Sequence, residues 1–224
     1  MSPTSAIVFD FDGVLADSEP LHLRAYQEVL TPLGISLTRD DYYANLLGFD
    51  DVGVFRAVGE RAGLRLDDRR IAALIEQKSR VFDEVIATTD VLYPGASECV
   101  ERMASAYPLG VASGALRAEI VAVLRRARLD GHFRFIVSAE DTVRSKPAPD
   151  PYLRAALLHG LPPASCVAIE DSRWGLESAR YAGFLTVGVT HTYPREELHG
   201  ADVVIATLAE FTSELTAKLL ARTR

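Results

Sequence analysis

The sequence predicts an α/β protein: a doubly wound, parallel, Rossmann-like sheet interrupted by an inserted helical domain. Three observations predict it. From Val91 onward, short apolar runs of strand length alternate with segments of helical period, joined by short connections. Between Ala16 and Thr89 no strand-like run occurs, so a helical block too long for an ordinary βα connection separates the first strand from the second. The first strand, Ala6 to Phe9, ends in Asp10-Phe11-Asp12-Gly13, a polar sequence whose glycine lets the backbone turn sharply. Residues 1–15 and 90–224 are therefore assigned to the sheet domain and 16–89 to the helical one.

Within the helical block, Ser18 is expected to cap a helix with Glu19 and Pro20 in its first turn; Tyr26, Val29, Leu30 and Leu33 follow at helical spacing before Gly34. Further helices are expected over 40–47 closed by Gly48, 50–62 closed by Gly63, and 67–87. In the sheet domain Tyr93-Pro94-Gly95 opens a helix to residue 106, and a strand over 109–112 ends at Ser113-Gly114. A helix over 119–128, a strand over 133–137, a loop over 138–149 and a helix over 151–159 come next. The strand over 166–169 ends at Glu170-Asp171, the helix over 173–182 stops at Gly183, and strands over 185–189 and 203–205 complete the sheet. Right-handed crossovers make such a sheet parallel.

The 224 residues suffice for a proper core, in one large domain or one with a sizeable insertion. A formal charge of −7 argues against nucleic acid or an anionic membrane surface as the main partner. No apolar run approaches the roughly 20 residues of a membrane span. Met1-Ser2-Pro3-Thr4-Ser5 lacks the basic and long apolar regions of a leader, so a cytoplasmic location is expected. Cys99 and Cys166 fall in apolar settings that suit buried, reduced thiols.

The chemistry concentrates at strand ends. Asp10 and Asp12 crowd one small volume and repel each other unless a cation or proton intervenes, and Mg2+ suits one or two carboxylates plus a substrate phosphate. Asp10, Ser113 and Glu170-Asp171 each follow an apolar strand directly, and Lys146 follows a fourth by a short loop. In a doubly wound sheet all four open onto the same edge. That edge gathers a carboxylate nucleophile, a hydroxyl with a glycine amide, a lysine framed by prolines and a second acidic pair, the equipment for phosphoryl transfer.

Asp10-Phe11-Asp12-Gly13-Val14, Ser113-Gly114, Lys146-Pro147-Ala148-Pro149-Asp150 and Glu170-Asp171-Ser172-Arg173-Trp174-Gly175 resemble the four ordered motifs of the haloacid dehalogenase superfamily. Asp17-Ser18-Glu19-Pro20-Leu21-His22 and the insertion after it are similar to the subgroup of β-phosphoglucomutases and sugar-phosphate phosphatases with a helical cap. The resemblance implies a Mg2+-dependent phosphatase acting on a small phosphorylated metabolite, a sugar phosphate first. Asp10 would form an aspartyl-phosphate, and Asp12 would serve as general acid and base while offering its backbone carbonyl to the metal. Asp171 and Glu170 would complete the metal site, Ser113 and Gly114 would hold phosphoryl oxygens, and Lys146 would neutralise Asp10 and the phosphoryl group together. Other readings stand beside these: Asp10 as a plain metal ligand, Ser113 as a turn residue, Glu170-Asp171-Ser172 as helix-capping chemistry, and Arg144 in place of Lys146.

An aspartate at position 12 favours phosphate esters over the substrates of dehalogenases or phosphonate hydrolases. In the helical domain, His22 matches a histidine that helps align Asp12, and Lys78 lies on the apolar stripe Ile71, Leu74, Ile75, Phe82, Val85. Lys78 is expected either to snorkel or to meet a second anionic group on the substrate. Mutases of the resembled subgroup place an arginine three residues after the cap glycine; Gly48-Phe49-Asp50-Asp51 puts Asp51 there, which ranks phosphatase ahead of mutase. A non-catalytic phosphate-binding module is the reading from another class, and a monomer or weak homodimer is the expected state.

Overall fold

The structure, a computed structural model, describes residues 4–47 and 49–223. The described chain divides into two compact units: Ser18–Asp90, and the residues up to Asp17 together with those from Val91 on. The expected closing glycine Gly48 lies outside the described residues.

The first of these units holds α1 (Glu19–Leu30), α2 (Arg39–Asn45), α3 (Asp51–Arg61) and α4 (Asp68–Ile86). Three of the four begin on side-chain caps: the side-chain oxygens of Thr38, Asp50 and Asp67 accept from the amides of Asp41 (3.1 Å), Gly53 (2.7 Å) and Arg70 (2.7 Å). Ser18 is the exception and corrects the expectation. Its own backbone is already helical and its side chain makes no cap bond, so Pro20, with its φ preset, starts α1 instead. The α4 stripe buries Ile71, Leu74, Lys78, Phe82, Val85 and Ile86 on one face, and Tyr26, Tyr42 and Phe55 are among the core residues of the same unit.

The other unit is a six-stranded parallel sheet of β1 (Ala6–Phe9), β2 (Leu109–Ala112), β3 (Phe133–Val137), β4 (Cys166–Glu170), β5 (Leu185–Val189) and β6 (Val203–Ile205). Its order is β3-β2-β1-β4-β5-β6. Strands β1, β2, β4 and β5 are buried along their whole length, which is why they read as continuous apolar runs rather than alternating ones. The order reverses at β1, and the crevice beyond the carboxyl ends there is where such sheets bind ligands. Phe9 pairs with Val111 on one side and Ile169 on the other, so Asp10 emerges level with Glu170.

Helices α5 (Ala96–Ala104), α6 (Arg117–Arg126), α7 (Asp150–His159) and α8 (Arg173–Ala182) alternate with these strands. Helix α9 (Ser213–Leu220) was not expected; eight residues with a Thr212 cap bonded to the Leu215 amide (3.2 Å) give too weak a period to stand out. The chain leaves and re-enters the sheet unit through a paired segment: the Asp17 amide donates to Val91 O (2.7 Å) and the Tyr93 amide to Leu15 O (3.0 Å). No described helix is long and apolar enough to cross a membrane.

At the end of α7, His159 is buried and meets Phe135 edge-on at 4.5 Å. Burial, then the charge of Arg134, pulls its pKa from 6.5 down to about 4 against a raising contribution from the Ile7 backbone. The unfolded chain therefore accepts a proton that the folded chain refuses, and this contribution to stability, complete above pH 6.5, is lost as the pH falls towards about 4. Thermal unfolding of His159→Gln, followed by circular dichroism between these pH values, should show a shallower fall in Tm than the parent protein. An unchanged slope would remove His159 as a source of acid sensitivity.

Candidate active site

The acidic loop after β1 folds tightly on itself. Leu15 and Ala16 amides both donate to Phe11 O (2.9 and 3.0 Å), and the Gly13 amide donates to Ala16 O (2.8 Å). Gly13 sits at φ +78°, and a β-carbon there would overlap the Asp171 carboxylate. Glycine is required twice over, for the left-handed turn and for the close approach. The loop thus delivers Asp10, 8% exposed, beside the end of β4, with Asp12 half-buried two residues on.

Lys146 organises the carboxylates. Its Nζ stands 2.8 Å from Asp10 Oδ1 and 2.6 Å from Glu170 Oε1. Burial opposes the ammonium charge, but Asp10 and then Glu170 outweigh it and hold the lysine above its ordinary range. Arg144, the rival, is instead a bidentate partner of Asp150 (3.1 and 2.9 Å) and largely exposed. Glu170 is wholly buried; its Oε1 also accepts from the Tyr152 hydroxyl (2.6 Å), whereas Oε2 has no hydrogen-bond partner. The carboxylate occupies the space of a missing side chain at Gly175, where a β-carbon would overlap it. Gly175 thereby makes room for a buried carboxylate.

Asp10, Glu170 and Asp171 each offer an oxygen within 4.8 Å of the others. Burial, then Asp10, raises the pKa of Glu170 and of Asp171. Three carboxylates against one ammonium leave the cluster short of positive charge. With hard oxygen donors and an orphaned buried Glu170 Oε2, these residues fit a hard divalent cation.

Ser113, 3% exposed, is fixed by its amide donating to Val137 O (2.9 Å). Its Oγ accepts from the Ala115 amide (3.0 Å), which leaves the hydroxyl proton to donate; Gly114 follows, exposed. Asp10, Glu170, Asp171 and Lys146 come together, and Ser113 stands at the end of β2, the neighbour of β1. Ser172 caps α8 by accepting from the Gly175 amide (3.1 Å), so capping and the acidic pair coexist in one turn.

His22 and Lys78 lie in the helical unit and meet each other. Lys78 does not snorkel: at 2% exposure its Nζ reaches His22 Nδ1 (2.9 Å) and Asp51 Oδ1 (3.0 Å), between the rings of Tyr26 and Phe82. Asp51 is not a bare anion, for Lys78 and the Tyr26 hydroxyl both bind it. Burial, then the Lys78 charge, lowers the His22 pKa well below the usual histidine range, so the ring is neutral and accepts the lysine proton at Nδ1.

Sequence reasoning missed Tyr152, which reads as ordinary helical core, and the segment after β5. There the Thr192 hydroxyl lies beside the Asp171 carboxylate at Gly13, and His191 Nδ1 lies 3.1 Å from Gly13 O. The signal for that segment was present, since β5 ends on the same edge as β1 and β4.

Residues 7–189 match the family described as haloacid dehalogenase-like hydrolase. Protein CbbY of Rhodobacter capsulatus is 34% identical over 96% of this chain and 98% of its own length. A phosphorylated carbohydrates phosphatase of Thermotoga maritima is 31% identical, covering 84% of this chain and 86% of the relative. Among solved structures, a point variant of CbbY from Rhodobacter sphaeroides in complex with xylulose-(1,5)bisphosphate superposes with a TM-score of 0.81, at 28% identity over 92% of this chain and 96% of that one.

Gly175→Ala tests the crowding directly. Its methyl group must displace the Glu170 carboxylate, so divalent-cation affinity measured by calorimetry should fall by about 10–100-fold. Affinity equal to the parent's would mean that Glu170 has room to move without cost.

Proposed function

The chain belongs to the haloacid dehalogenase-like hydrolases, and on that premise we propose that it hydrolyses the phosphate monoester of a small phosphorylated sugar through a covalent intermediate on Asp10. One observation carries the reading: the Asp10 carboxylate is buried at the switch point of the sheet with its charge matched by Lys146 at 2.8 Å. A carboxylate so held meets an incoming phosphate dianion with its own charge already paired and keeps its second oxygen for attack.

In the first half-reaction Asp10 displaces the sugar oxygen from phosphorus, and Asp12 gives that oxygen its proton. In the second, Asp12 takes a proton from water as the water attacks the aspartyl-phosphate, releasing inorganic phosphate and restoring Asp10. The Ser113 hydroxyl and the Gly114 amide donate to the phosphoryl oxygens as charge moves across them. Lys146 spans Asp10 and Glu170 throughout and lowers the repulsion between nucleophile and phosphate. Asp10, Asp171, Glu170 and the Asp12 carbonyl would hold Mg2+, which when bound neutralises phosphoryl charge and orients the phosphate. The reading assigns chemistry to the sheet unit and substrate choice to the helical one. Lys78 already has a counter-charge in Asp51, so a second phosphate seeking it must displace a carboxylate. A monophosphorylated sugar is therefore the first candidate.

The deciding experiment measures phosphate release from a panel of sugar mono- and bisphosphates with Mg2+ and with a chelator. Release should require Mg2+, vanish in Asp10→Asn and fall by about 10²–10⁴-fold in Asp12→Ala. Isomerisation of β-glucose 1-phosphate without net release would point to a mutase, and silence in both assays to a phosphate-binding module.

A further inference from the structure

The segment His191-Thr192-Tyr193, directly beyond β5, grips three separate parts of the site with three consecutive side chains. His191 stacks on Tyr93 with ring centroids 4.0 Å apart, and its Nδ1 lies 3.1 Å from Gly13 O. A carbonyl only accepts, so Nδ1 carries the proton and the acidic loop hangs from it. Tyr193 meets Trp174 edge-on at 6.0 Å, in the first turn of the helix that follows Asp171. Thr192 lies between these two anchors. Its Oγ1 is 2.8 Å from the point where a Gly13 β-carbon would stand, and Asp171 Oδ2 is nearer still, which sets the hydroxyl beside the buried Asp171 carboxylate. The Asp171 carboxylate and the Thr192 hydroxyl thus close on the space that a side chain at position 13 would fill.

We propose that Thr192 is a positioning residue that fixes the Asp171 carboxylate against the acidic loop, with His191 and Tyr193 pinning the segment on either side. A carboxylate rotates freely about its last bond, and a donor beside one oxygen sets which oxygen turns towards Asp10 and Glu170. Outer partners of this kind orient metal-binding carboxylates. The inference rests on the reading that Asp10, Glu170 and Asp171 together hold Mg2+. It concerns the geometry of the free protein and needs no substrate.

The test is a titration of the full chain with Mg2+ by calorimetry, without substrate, for the parent, Thr192→Val, Thr192→Ala and Thr192→Ser. Valine keeps the shape and alanine adds no bulk; both remove the donor, whereas serine retains it. Both donor-free variants should bind Mg2+ about 10–100-fold more weakly than the parent. Thr192→Ser should restore the parent affinity, a rescue that shape alone does not produce. Tm without metal identifies a variant that has failed to fold, in which case the other donor-free variant decides. Parent-like Mg2+ affinity in a folded donor-free variant overturns the positioning role while leaving the metal site intact. A parent protein that binds no Mg2+ overturns the metal reading itself, and this inference with it.

Discussion

The site depends on one ammonium group. Lys146 reaches Asp10 and Glu170 at once, and these two carboxylates come from strands adjacent in the sheet but far apart in sequence. Without that bridge the carboxyl edge of the sheet would present an uncompensated cluster of buried acids, which desolvation strongly disfavours. With it, one negative charge is matched and the remaining ones are left as a standing demand for a cation. Tyr152 adds a second donor to the same Glu170 oxygen, and the Lys146 ammonium lies 5.3 Å from the centre of the Tyr152 ring. The lysine is therefore held by charge on one side and by an aromatic face on the other.

The sequence was most legible where burial forces a pattern. Strands covered on both faces have to be apolar throughout, so β1, β2 and β5 were found at their observed limits and β4 to within one residue. The polar residues that follow them stand out against that background, which made Asp10, Ser113 and Glu170-Asp171 visible from spacing alone. Helix ends were less legible, because a cap depends on backbone angles as well as residue type. Thr38, Asp50 and Asp67 cap as their chemistry suggests, but Ser18 has the right side chain on a backbone already in helical conformation.

What escaped was pairing at long range. Nothing local in α7 marks Tyr152 as a donor to Glu170, since an aromatic residue on a buried helix face is ordinary core. Lys78 and Asp51 were each noticed, one as a cation on an apolar stripe and one as an anion in an unexpected place. Their contact, 27 residues apart, explains both at once. A buried ion pair of this kind is costly unless its remaining valences are met, and His22 and Tyr26 meet them. Gly13 and Gly175 show the same limit: a turn glycine is readable, but the need for an absent side chain beside a distant carboxylate is not.

The paired segment where the chain leaves and re-enters the sheet unit bears on how the protein folds. The central strand β1 must find β2, which begins about a hundred residues later, and closing a flexible loop of that length is slow and entropically unfavourable. Most of the intervening chain is the helical unit, whose four helices succeed one another over Ser18–Asp90 and form through nearer contacts. Once that unit has folded, the antiparallel bridge of Ala16 with Leu92 joins the two flanks, and what remains to be closed is residues 10–15 on one side and residues 93–108, which include α5, on the other. The insertion then acts as a template for β1–β2 pairing, and destabilising it would slow assembly of the sheet before it altered any residue of the acidic cluster.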